Sequence, residues 1–136
     1  MPDLGSTEIT MLWASALLGL VYLLAAVIPS VLGRGMPWAL GPRDGEWPAL
    51  GTVASRLDRA WRNYRETFPI FAAAILISVQ VPQDSTLAAL GAQLYFWGRV
   101  AFLPIYAIGL PFVRTVAWTV ALAGIVLVLL SALPGV

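Results

Sequence analysis

A stretch without any charged residue, from Ile9 to Gly33, limits what this chain can fold into more than any other feature. Its core, MLWASALLGLVYLLAAVI, is apolar on every helical face. A membrane-spanning helix needs about 20 such residues to cross about 30 Å of hydrocarbon. The preceding residues include Asp3 and Glu8 instead of positive charge, and the apolar core is too long for a signal peptide. The sequence therefore predicts a first transmembrane helix at about residues 9–32.

Three further apolar segments follow, and the sole charged residue inside them is Arg99. The second contains FPIFAAAILISVQV, and the last contains VAWTVALAGIVLVLLSAL. The fold class that we predict is all-α, an integral membrane four-helix bundle formed by one domain. The domain covers residues 1–136, with the later spans at about 55–82, 85–111 and 115–133.

The composition supports a membrane protein and excludes several kinds of chemistry. Hydrophobic residues make up 60% of the chain and charged residues 11%, whereas soluble domains have about 45–50% and about 25%. The net charge of +1 gives no electrostatic argument for a nucleic-acid partner. Because the chain has no cysteine and no histidine, it has no disulfide, no thiolate nucleophile and no imidazole base. Its acidic residues are scattered, so we predict no metal site.

The arginines predict the orientation in the membrane. All 8 basic residues of the chain are arginines, and most of them lie between the first and second spans. The positive-inside rule places that connection on the cytoplasmic side and both termini on the other side. The connection begins with a loop rich in glycine and proline, and Thr52 or Ser55 is expected to cap a helix that begins near Arg56 and continues into span two.

Polar side chains share one face of this second helix. Arg59, Asn63 and Glu66 recur at helical spacing, and Arg62 lies beside them. The simpler interpretation is a positively charged anchor with a helical Arg–Glu pair. An anchor, however, needs neither an amide nor a carboxylate at the start of the hydrocarbon, where an unpaired polar group is costly.

Arg99 lies inside the third span, where a charge costs at least about 2.5 kcal/mol on insertion scales unless it is paired. Glu66 is its expected partner, and the alternative is that Arg99 extends to the membrane surface. Tyr106 is seven residues further on and shares its helical face, and Arg114 follows Pro111 by one turn.

Together these residues predict one pocket that opens to the cytoplasm. Guanidinium groups bind carboxylates bidentately, and a glutamate can receive an ammonium group, so the pocket suits a small ligand with two carboxylates and one amine. The predicted binding residues are Arg59, Arg62, Asn63, Glu66, Arg99 and Tyr106, and Arg114 is expected to complete the lining of the pocket.

The same residues carry a resemblance to a known family. The segment RAWRNYRE at residues 59–66, followed by an aromatic residue and a proline, and the later Arg99, Tyr106 and Arg114 resemble signatures of the MAPEG family. These are the membrane-associated proteins of eicosanoid and glutathione metabolism. The chain is most similar to the bacterial members, which share a loop like ALGPRD, and the resemblance covers about residues 10–132.

The resemblance implies a homotrimer of four-helix subunits in the bilayer, with glutathione as co-substrate between subunits near the cytoplasmic face. It implies that Arg59, Asn63, Glu66 and Tyr106 bind glutathione and that Arg114 stabilises its thiolate. The expected function is a glutathione-dependent transferase or peroxidase acting on hydrophobic electrophiles, located in a bacterial inner membrane.

Three other functions fit parts of the pattern. A non-enzymatic trimer of the same kind would bind a lipid or a small anionic ligand without thiol chemistry. A small multidrug-type transporter also has four short spans, but it depends on a carboxylate deep in the first span, which is absent here. In a purely structural role, Arg99 and Glu66 would form a folding pair and the other residues an anchor.

Overall fold

The structure, a computed structural model, describes residues 6–81 and 85–133. Every regular element in these ranges is a helix, which confirms the predicted all-α class. Four helices are long and follow the four apolar segments, and a short fifth lies in the connection that we expected to be a loop. The turn predicted between spans two and three falls mostly outside the described residues. The helices are α1 (Thr7–Arg34), α2 (Met36–Leu40), α3 (Thr52–Ser78), α4 (Ser85–Ile108) and α5 (Pro111–Ser131).

Two of the described helices, α1 and α5, are long and apolar enough to cross a membrane. The first half of α3 carries charged residues from Arg56 to Glu66, and α4 contains Arg99. Length and composition therefore identify two candidate spans in the described part of the chain. The count of four spans and the side on which the termini lie stay predictions.

The beginning of α3 differs from the prediction. The helix starts at Thr52, not near Arg56, and its N-cap is Gly51, which has an extended backbone and no capping hydrogen bond from a side chain. Neither Thr52 nor Ser55 caps it. The hydroxyl of Ser55 instead accepts a hydrogen bond of 2.7 Å from Nη1 of Arg59, one turn further on.

The end of α4 also differs, because the helix stops at Ile108 and not at residue 111. Gly109 follows with a φ of 89°, in the left-handed region that favours glycine. Arg56 of α3 reaches this end and donates from Nη1 to the carbonyl oxygens of Ala107 and Ile108, each at 3.3 Å. A cation at a helix C-terminus is favourable, and α5 then begins at Pro111, whose fixed φ suits a first helical position.

Helices α4 and α5 pack more extensively than any other pair of described helices. Gly91 and Gly124 lie where their backbones cross: a Cβ atom on Gly91 would lie 2.6 Å from the carbonyl oxygen of Gly124. A Cβ atom on Gly124 would meet the carbonyl oxygen of Gly91 and lie 2.6 Å from the backbone nitrogen of Tyr95. Small residues permit such close approach in membrane bundles. This contact holds the last part of α5 against the first part of α4.

A column of stacked aromatic rings joins α1, α3 and α4. Its members are Tyr22, Tyr64, Phe71 and Tyr95, all buried. The ring centres of Tyr22 and Tyr64 are 4.4 Å apart, and those of Phe71 and Tyr95 are 3.9 Å apart. The hydroxyl of Tyr22 donates to the carbonyl oxygen of Arg99 at 2.6 Å, so the column also links α1 to the polar part of α4.

Large apolar side chains cover much of the outer surface. Trp13, Leu32 and Phe112 are 67%, 81% and 80% exposed. Exposed apolar side chains in such number are typical of proteins that contact lipid chains or further subunits.

Candidate functional site

The predicted polar residues converge at one end of the bundle. The first half of α3, the end of α4 and the start of α5 enclose a cavity of about 310 Å³, which we call the main cavity. Six of the seven predicted site residues line it, and Arg99 does not. The lining residues are Arg59, Arg62, Asn63, Glu66, Phe102, Tyr106, Arg114, Thr115 and Trp118.

The α3 side of the main cavity follows from helical spacing. Arg59, Asn63 and Glu66 occupy one stripe of the helix, as predicted from their positions. Arg62 lies at the edge of this stripe with a side chain that is 63% exposed, and it forms an ion pair of 2.7 Å with Asp58. Such an exposed pair contributes little to stability but fixes the direction of the arginine.

Tyr106 lies between two guanidinium groups. Arg59 donates from Nε to the Tyr106 hydroxyl at 3.2 Å, and its Nη1 is held by Ser55. The guanidinium carbon of Arg114 lies 4.7 Å from the centre of the Tyr106 ring, at cation–π distance. The phenol thus positions one arginine from α3 and one from α5 on the same cavity wall.

Arg99 is buried behind the main cavity and has no exposed surface. Its guanidinium carbon lies 4.4 Å from the ring centre of Phe102, 5.1 Å from that of Tyr64 and 5.5 Å from that of Tyr22. Nη1 donates to Oδ1 of Asn63 at 2.7 Å, while Nε and Nη2 have no hydrogen-bond partner among the described residues. Aromatic faces therefore provide most of the environment of this cation.

The expected ion pair between Arg99 and Glu66 is not formed among the described residues, and this prediction is wrong. The single ion pair there joins Arg62 and Asp58. The reason is depth: Asn63 comes one turn earlier on α3 and faces α4, whereas Glu66 is exposed toward the main cavity. Arg99 also has no exposed surface, so its side chain does not extend out of the bundle as the alternative required.

The bond from Arg99 determines what Asn63 offers to a ligand. Because Oδ1 of Asn63 accepts from Arg99, the amide NH₂ group is the part that remains for the main cavity. Asn63 is therefore placed to donate to a carbonyl or carboxylate oxygen. Arg99 acts on the site through this amide and makes no contact with the cavity itself.

The charges of the main cavity favour an anionic ligand. Three guanidinium groups and one carboxylate line it, and the carboxylate of Glu66 has no ion-pair partner among the described residues. A ligand with negative groups for the arginines and an ammonium for Glu66 matches this arrangement.

A smaller cavity of about 210 Å³ adjoins the main one and extends it toward the α4–α5 junction. It shares Arg59, Tyr106 and Arg114 with the main cavity and adds Arg56 and Gly109. The two together form an elongated polar trough, which suits an extended ligand with charged groups at both ends.

The sequence did not predict three residues of the main cavity, Phe102 of α4 and, in α5, Thr115 and Trp118. We treated this segment as a plain apolar span. The signal for the two cavity residues of α5 was a threonine directly after Arg114 and a tryptophan three residues further on, in a mostly aliphatic helix. With Phe102, Trp118 gives the cavity an apolar wall beside its cations.

Comparison with known proteins gives one result at the level of the family. No curated protein matches this chain. The model of the MAPEG family matches residues 11–134, which is nearly the whole chain and includes every residue of the main cavity. The chain therefore belongs to the MAPEG family.

Proposed function

We propose that this protein is a membrane-bound glutathione-dependent transferase or peroxidase that acts on hydrophobic electrophiles. Family membership supports a membrane function related to glutathione or eicosanoids at the family level. The observation that carries the specific proposal is the main cavity, where arginines, a carboxylate, an amide and a phenol from three helices meet. We propose that the protein spans the bilayer four times, with both termini on the non-cytoplasmic side of a bacterial inner membrane.

Glutathione has two carboxylates, one ammonium group and two peptide bonds, and each group has a counterpart in this site. In the proposal, Arg59 and Arg62 bind the carboxylates and Glu66 receives the ammonium. The amide NH₂ of Asn63 donates to a glutathione oxygen, and Tyr106 contacts the ligand beside Arg59. Arg99 contributes by holding Asn63.

Arg114 has the catalytic role in this proposal. A thiol with an ordinary pKa of about 8.5 is mostly protonated at neutral pH, and a fixed cation beside it favours the nucleophilic thiolate. Arg114 is fixed over the ring of Tyr106 at 4.7 Å. The thiolate then attacks an electrophilic carbon of the second substrate, which lies against the apolar wall formed by Phe102 and Trp118. A C–S bond forms, and the leaving group, a halide in the case of an aryl halide, departs from that carbon with its electron pair.

The experiment is a glutathione titration by calorimetry on the protein in detergent, together with conjugation of a generic aryl halide. We expect saturable binding, and we expect Arg114→Ala to lower kcat about 100-fold while affinity changes little. The pKa of the bound thiol should return toward about 8.5 in this variant, so its activity–pH profile shifts to alkaline pH. Arg65→Ala, an exposed arginine outside the main cavity, is the matched control.

Absence of binding at millimolar glutathione would refute the proposal. Binding without any thiolate absorbance or conjugation would instead favour the second candidate, a non-enzymatic trimer that holds a lipid or a small anionic ligand in the same cavity.

The proposed homotrimer has its own measurement. We expect native mass spectrometry of the detergent-solubilised protein to give three copies of the 14.6 kDa chain. The exposed apolar surface on α1 and α5 provides area for contacts between subunits. A monomer or dimer that still binds glutathione would contradict the proposed trimer but not the proposed binding residues.

A further inference from the structure

A second polar cavity lies beside the main one, where residues 41–51 fold back over the end of α1 and the start of α3. Its volume is about 460 Å³, and we call it the loop cavity. The proposed glutathione chemistry does not use it, although Arg62 stands at the boundary of both cavities. Its lining residues are Ser30, Arg34, Trp38, Arg43, Ala49, Leu50, Ser55, Asp58 and Arg62.

Two arginines of the loop cavity converge on one aromatic ring. The guanidinium carbons of Arg34 and Arg43 lie 4.9 Å and 4.1 Å from the ring centre of Trp38. Two guanidinium groups around one ring concentrate positive charge there, and a bound anion would offset their mutual repulsion. Neither arginine forms an ion pair with a carboxylate in the described part of the chain.

The backbone of Arg43 is held in an unusual conformation that brings its side chain to this place. Its φ is 66°, in the left-handed region, and among the described residues every other positive φ belongs to a glycine. Non-glycine residues in that region cluster at ligand sites. An arginine serving only as a membrane-side charge would not require this conformation.

The hydrogen bonds of the loop cavity leave donors without acceptors. Arg34 uses Nε to donate to the carbonyl oxygen of Pro48 at 3.0 Å, which leaves both of its Nη groups for a ligand. The Ser55 hydroxyl accepts from Arg59, and its own proton makes no hydrogen bond among the described residues. The one carboxylate of the cavity, Asp58, is already bound to Arg62.

We infer that the loop cavity binds a phosphate group. Guanidinium forks match the oxygens of a phosphate, and Arg34 and Arg43 provide two such forks around one space, while Arg62 on its border is paired with Asp58. The source is either the headgroup of an anionic phospholipid or a free phosphate compound. Leu32 and Leu40, exposed by 81% and 80%, flank this end of the molecule and offer contacts for the chains of a lipid.

The test uses the full-length protein purified in an uncharged detergent and titrated with two probes, inorganic phosphate and a short-chain phosphatidylglycerol. Binding is followed by tryptophan fluorescence, and Trp38→Phe identifies the signal that arises in the loop cavity. The matched variants are Arg43→Ala and Arg65→Ala, because both remove an exposed arginine that lies over a tryptophan.

We expect saturable binding that Arg43→Ala weakens about tenfold or more and that Arg65→Ala leaves unchanged. If inorganic phosphate saturates the site and displaces the lipid, the cavity recognises free phosphate; if phosphatidylglycerol alone saturates it, the source is the membrane. No saturable binding of either probe, or equal binding by Arg43→Ala, overturns the inference. Glutathione titration of Arg43→Ala should match the unaltered protein, so this inference and the proposed function can fail separately.

Discussion

The hydrogen-bond partner of Arg99 is determined by the packing of neighbouring helices, which its position in the sequence does not reveal. Helical spacing correctly grouped Arg59, Asn63 and Glu66 on one face of α3, and all three line the main cavity. Asn63 and Glu66 are one turn apart on that face. Which of them meets Arg99 depends on the crossing of α3 and α4, and spacing within one helix cannot give that crossing.

The first prediction at this scale concerns the bond between Asn63 and Arg99. Asn63→Leu leaves a buried guanidinium without its hydrogen-bond partner, so we expect a loss of about 2 kcal/mol in the free energy of unfolding. The double variant Asn63→Leu with Arg99→Met removes the cation as well and should recover most of that loss. Unfolding in detergent measures both.

The control is Arg62→Ala, which breaks an exposed ion pair and should cost less than about 1 kcal/mol. A double variant as unstable as the sum of its single variants would contradict the pairing of Asn63 with Arg99.

At the scale of elements, the sequence predicted four long helices but not how α4 and α5 contact each other. Apolar length was sufficient for α1 and α5. The break between α4 and α5 was placed about three residues late: Gly109 and Pro111 end α4 locally, and Arg56, distant in sequence, caps the carbonyl oxygens of Ala107 and Ile108. A capping interaction from another helix leaves no local pattern.

The second prediction belongs to the crossing of α4 and α5. Gly124→Ala places a Cβ atom against backbone atoms of Gly91 and Tyr95, which cannot move aside as a flexible side chain would. We expect a loss of about 1–3 kcal/mol and a lower melting temperature in detergent. Gly33→Ala is the control, since its added atom meets only a side-chain carbon of Leu50 at 3.9 Å. Equal stability of the two variants would contradict the close approach.

For the whole molecule, the arginines predict an orientation, and the absence of cysteine makes it directly measurable. Single cysteines can be introduced without removing any native one. We expect a membrane-impermeant thiol reagent to label Thr7→Cys in intact cells and to label Glu46→Cys only after the membrane is opened, because the arginine-rich connection is cytoplasmic. Both positions are exposed. Labelling of both in intact cells would contradict the predicted topology.

The aromatic column also has an optical consequence. Rings fixed in asymmetric, closely stacked pairs give near-ultraviolet circular dichroism, and this signal disappears when tertiary packing is lost although the helices remain. The rings of Tyr22, Tyr64, Phe71 and Tyr95 stand outside the main and loop cavities. The near-ultraviolet circular dichroism of these rings should therefore report whether α1, α3 and α4 are packed together, whether or not a ligand is bound.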